Sequence, residues 1–129
     1  MKKLNRENII GIAALLVHAA KIDQHYSDKE KDMIKNFIKS YYKNGEENNI
    51  LENAEKLEKN SNQLLNFTNI IKNNTMEIKS DIIEHLWKVI ISDNTIDQYE
   101  SNLMRRICGL IYFPDKMSAE IKLKLLDTK

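Results

Sequence analysis

Proline occurs once and glycine three times in 129 residues, so few points oblige a helix to stop. Cysteine occurs once, which excludes a disulfide framework. Cys108 falls in an apolar helical run with Met104, Ile107, Leu110 and Ile111 and reads as a buried, reduced thiol, in keeping with a reducing cytosol. Charge of one sign is not in excess: 20 Lys and Arg against 19 Asp and Glu leave +1, and the lysines are spread along the chain. No strong field draws in nucleic acid or acidic lipid. No apolar run is long enough to span a bilayer. Also missing are a Gly-rich phosphate loop, a Gly-x-Ser-x-Gly elbow, an HExxH pair and a cysteine set among polar groups that would lower its pKa. Catalysis therefore has no motif to rest on, and the expectation is a protein that is not an enzyme.

What is present, 42% hydrophobic and 30% charged residues, is ordinary for a soluble helical protein. The length suits one domain over residues 1–129. Met1-Lys2-Lys3 followed by the apolar stretch Ile9–Val17 has the outline of a signal peptide. Glu7 just before the stretch, and His18 and Lys21 after it, favour an amphipathic N-terminal helix instead.

Periodicity predicts about seven helices and no strand, an all-α bundle. Asn5 can cap a first helix over Arg6–Lys21, apolar on most faces and hence central. A second runs from Asp28 to about Lys43, with Met33, Ile34, Phe37, Ile38, Tyr41 and Tyr42 on one face and Asn44-Gly45 as its stop. The third, Glu47–Lys59, has a thin stripe (Ile50, Leu51, Ala54, Leu57) and is expected at the surface as the most mobile element. A fourth follows with Leu64, Leu65, Phe67, Ile70 and Ile71, and Asn74 with Glu77 is the expected cap of the fifth, Met76–Ile91. The sixth spans Gln98 to about Ile111, and Pro114 starts a short seventh.

The chain writes one pattern twice. Leu16–Met33 and Leu86–Leu103 each hold an apolar helical end, a short break opening with Asp, an apolar residue, a cap residue and a Glu three later. At a constant offset of 70, Asp93 matches Asp23, Ile96 matches Tyr26, Asp97 matches Ser27 and Glu100 matches Glu30. Two readings stand side by side. In one, Asp23, Glu30, Asp93, Asp97 and Glu100 gather as oxygen ligands for a hard cation, calcium or magnesium. The spacing is not an EF-hand, since position twelve falls on Ile34 or Met104 where a bidentate Glu belongs. In the other, Ser27–Glu30 and Asp97–Glu100 are capping boxes and the acids favour positive helix ends, the simpler account of the signature. His25 adds an imidazole to the first loop, but Thr95 stands at the equivalent place in the second. His18 and His85 sit in apolar helices and read as packing at their edges, Trp87 as core, and Tyr99 as covering its helix end or facing a partner.

The doubled pattern resembles the TerB-like, tellurite-resistance-associated family, related to the N-terminal domain of the DjlA membrane co-chaperone. Its clearest parts here are Ala19-Ala20-Lys21-Ile22-Asp23 through Glu30, then Leu86-Trp87-Lys88-Val89 through Asp93, Glu100 and Arg105-Arg106-Ile107. Pro114 before a final helix also fits. The resemblance implies an all-helical fold, a cytoplasmic stress-response role at or near the inner face of a bacterial membrane, protein partners, and a cation site at the paired acids. Gln24 and Asn94 depart from the Gly usual after the Asp, and Ser27 and His25 replace acids common in the first copy. The first loop is thus the weaker cation ligand. The expected function is a non-enzymatic module that binds protein partners, with acidic loops tuned by a cation. The alternative is a purely structural helical adaptor or oligomerisation domain, a homodimer being one form, whose acids only cap helices.

Overall fold

The structure is a computed structural model that describes residues 5–21, 26–43, 45–61, 65–91 and 98–127, with the side chains of 98 and 99 excepted. Among them are seven helices and no strand: α1 (Arg6–Lys21), α2 (Asp28–Tyr41), α3 (Glu47–Asn60), α4 (Leu65–Lys72), α5 (Met76–Ile91), α6 (Gln98–Ile111) and α7 (Asp115–Asp127). The repeat is written into their bounds. Both ends of α5 lie 70 residues after those of α1, and both ends of α6 lie 70 after those of α2. The likeness extends to a third helix, because α3 packs along α1 as α7 packs along α5. Each half is therefore a hub helix carrying two followers, and α4 joins the halves by packing against both α1 and α6.

Hub status follows from composition. In α1 every position from Ile12 to Val17 is buried, as are Ile9, Ala19 and Ala20, and α2, α3, α4 and α5 surround it. A helix apolar all round has no face to give to water and takes the centre. Asn5 caps it, its Oδ1 accepting the Asn8 amide at 2.8 Å. At Gly11 α4 comes close, so that a Cβ there would make the end of the Ile70 side chain turn aside. In α5, Ile82, Ile83, Leu86, Trp87, Val89, Ile90 and Ile91 are buried by its neighbours. Each such side chain contributes roughly 1.5–3 kcal/mol on burial, which makes the two hubs the main stabilising elements. Cys108 is free and buried in α6.

Local signals set the ends, with two corrections. Helix α2 stops at Tyr41, short of the expected Lys43, because Tyr42 turns to extended backbone; Gly45, at φ +74°, serves the loop beyond. Thr75, not Asn74, caps α5, its hydroxyl accepting the Ile78 amide at 3.2 Å. Asn74 instead closes α4, donating from Nδ2 to the Ile70 carbonyl at 2.8 Å. The thin-striped α3 is better anchored than its stripe implies: Ile50, Leu51 and Ala54 are buried, and the α1–α3 contact is the most extensive in the molecule. Pro114 precedes α7, as its place in the sequence leads one to expect.

Candidate functional site

The repeated unit places a glutamate in the first turn of α2 and of α6. A surface helix start exposes such a side chain as a rule, yet Glu30 is 4% exposed and Glu100 2%. Neither carboxylate lacks a partner. At Glu30 the sequence-predicted capping box is complete. Ser27 adopts extended backbone at φ −82°, ψ 166°, its amide donates to Glu30 Oε1 at 2.8 Å, and the Glu30 amide donates to Ser27 Oγ at 3.3 Å. The Ser27 hydroxyl also donates to Oε1 at 3.1 Å. Asp23, Asp93 and Asp97, together with His25 and the equivalent Thr95, lie outside the described residues, so only Glu30 and Glu100 of the five candidate ligands are placed. Among the described residues no three His, Cys, Asp or Glu side chains group as a metal site.

Beside the first loop the structure adds residues that the repeat does not signal. Tyr26 Oη donates to Glu55 Oε2 of α3 at 2.6 Å, and Lys31 Nζ stands 5.1 Å from the Tyr26 ring centre. Burial pushes the Tyr26 phenol far above its usual range, and the bond to Glu55 with the charges of Glu55, Glu30 and Glu58 pushes it further. The charges of three carboxylates therefore act on this phenol, with Glu55 in contact with it. One turn on, Glu58 takes Lys21 Nζ at 2.9 Å on Oε1 and His18 Nδ1 at 3.2 Å on Oε2. Burial acts to raise the Glu58 carboxyl, but hydrogen bonds and charge from Lys21 and His18 outweigh it and leave the group below the usual carboxylate value. His18 is thus a polar clamp at the α1 edge. His85 packs edge-on against Phe37 and donates from Nδ1 to the Asp81 carbonyl at 2.8 Å. Glu55 and Glu58 escaped the sequence reading because α3 has no counterpart loop; their i, i+3 spacing beside a thin apolar stripe was the available signal.

A groove of about 470 Å³ runs along the first half of α5, lined by Tyr41, Thr75, Glu77, Ile78, Asp81 and Glu84. Tyr41 Oη donates to Asp81 across its mouth, and burial with that bond raises the Tyr41 phenol well above normal. Tyr26 is thus set against acids of α3 and Tyr41 of α2 against acids of α5, and nothing in either arrangement pairs a nucleophile with a base. No helix among the described residues is long and apolar enough to cross a membrane.

A family model described as "Tellurite resistance protein TerB" matches residues 10–123, which takes in α2 to α6 complete and most of α1 and α7. No curated protein and no solved structure matches the chain.

Proposed function

From the premise that this chain belongs to the TerB family, a tellurite-resistance-associated helical module, we propose that it acts without catalysis, binding protein partners through a surface whose state a divalent cation sets. Its place in the cell is the cytoplasm, peripheral at the inner face of the membrane. The observation that carries the reading is the matched burial of Glu30 and Glu100, 70 residues apart in a repeat that keeps helix bounds to the residue. Caps alone do not require burial at both copies, since exposed capping boxes serve helices equally well. Asp23, Glu30, Asp93, Asp97 and Glu100 offer oxygen donors only, the set that suits calcium or magnesium rather than a soft metal.

The second reading, a structural adaptor or homodimerising domain whose acids only cap, is favoured by the closed box at Ser27, where Glu30 Oε1 already takes the amide and the hydroxyl. An NMR titration of the metal-free protein with calcium, magnesium, zinc and manganese separates the two. Saturable shifts at the amides of Glu30 and Glu100 and through the two loops support the cation site, and flat spectra leave the acids to capping. Charge reversal at Asp93 is expected to alter cation and partner binding more than reversal at Glu46 or Glu47. Equal effects at all three would reject the site.

A further inference from the structure

Between α5, α6 and α7, away from the α2 N-terminus, lies a half-open pocket of about 270 Å³. Two helix faces converge on it. Helix α6 brings Ser101 and, one turn later, Arg105; α7 brings Asp115, Ser118 and Lys122 along one stripe. The floor is Trp87 with Met104, both nearly buried. Trp87 is held in place, since Nε1 donates to Ser118 Oγ at 3.0 Å within the core, and Lys122 Nζ stands 5.2 Å from its ring centre.

Arg105 and Lys122 are without carboxylate partners: among the described residues neither makes an ion pair, although Asp115 lines the same pocket. Two cations and one acid leave the pocket with a single positive charge over an apolar floor. A guanidinium offers a forked pair of donors that matches a planar carboxylate, and Asp115 disfavours a dianion. The volume falls just under the about 300–1,000 Å³ of small-molecule sites and suits a fragment-sized ligand.

We infer that this pocket binds a small organic carboxylate, its acid group held by Arg105 and Lys122 and its apolar body laid against Trp87 and Met104. The Ser101 hydroxyl is a further donor within the same pocket. Such a site shares α6 with Glu100 and gives the molecule a second input.

Trp87 is the chain's one tryptophan, so tryptophan fluorescence has a single source and that source lines this pocket. The full chain is titrated with hexanoate, and in parallel with hexanamide, hexylamine and inorganic phosphate. Hexanoate is expected to shift Trp87 emission saturably, with hexanamide and hexylamine at least tenfold weaker, as loss of a charge-assisted hydrogen bond implies. Arg105→Gln and Lys122→Gln, checked for unchanged helicity, should each weaken hexanoate about tenfold, and Asp115→Asn should tighten it several-fold. A flat hexanoate titration, an equal response to hexanamide, or affinity unchanged in both cation variants would overturn the inference. Phosphate binding as tightly as hexanoate would overturn its assignment to organic carboxylates.

Discussion

Ser27 and Tyr112 show two opposite uses of a single position. Ser27 satisfies the start of α2 from both directions, through its hydroxyl and through the amide that Glu30 accepts. Ser27→Ala is expected to lower stability by about 1 kcal/mol, read by urea denaturation. Tyr112 ends α6 at φ +60°, in the left-handed region that a bulky side chain occupies at a cost. The Phe113 amide returns to the Cys108 carbonyl at 2.9 Å, so the turn is a helix stop that glycine would make without strain. The ring itself is 68% exposed, with Lys72 Nζ 5.2 Å from its centre. Tyr112→Gly should therefore raise stability by about 0.5–1 kcal/mol, the relief of strain exceeding the small cation–π loss. A melting temperature below that of the parent chain would show that Tyr112 earns its conformation through packing.

At the scale of elements, α3 depends on charge as well as burial. Its apolar stripe is thin, and Glu58 ties its end to Lys21 and His18 of α1 while Glu55 takes the Tyr26 hydroxyl. Because the folded Glu58 carboxyl sits below its unfolded value, the stability it adds is present above about pH 4.5 and is lost as pH falls through the folded value. Glu58→Gln should accordingly lower the melting temperature at pH 7, and the gap from the parent chain should close as the pH is taken below 4. A gap that persists in acid would mean that Glu58 acts through packing and not through its charge. The contrast with α1 is physical: a helix buried on every side needs no ion pair to hold it, whereas one with three buried side chains does.

For the whole molecule, the two halves are bound into one packed body. Hubs α1 and α5 touch each other, α2 reaches across to α5, and α4 spans α1 and α6. Unfolding is therefore expected as a single cooperative transition. Trp87 fluorescence, which reports on the second half, should coincide with far-UV circular dichroism across a urea series. Loss of the Trp87 signal at lower urea than the helical signal would show that the halves unfold separately and that α4 is a linker and not a brace.

Most of the architecture was legible in the residue order. The bounds of α1, α5 and α6 follow from apolar period and caps, and the repeat at offset 70 reappears in helix ends and in the burial of Glu30 and Glu100. These are local quantities: a hydrophobic stripe, a cap and a turn residue act within a few positions of one another, so the sequence by itself settled the seven helices and the doubled unit. The choice of Thr75 over Asn74 as a cap turned on which side chain the chain direction brought to the free amide. The placing of Glu55 and Glu58 beside Tyr26, and of Arg105 and Lys122 over Trp87, was decided by tertiary structure alone. The partners in each group are from 17 to 35 positions apart in the chain, and only the packing of whole helices, driven by apolar faces elsewhere on them, fixes which polar side chains meet.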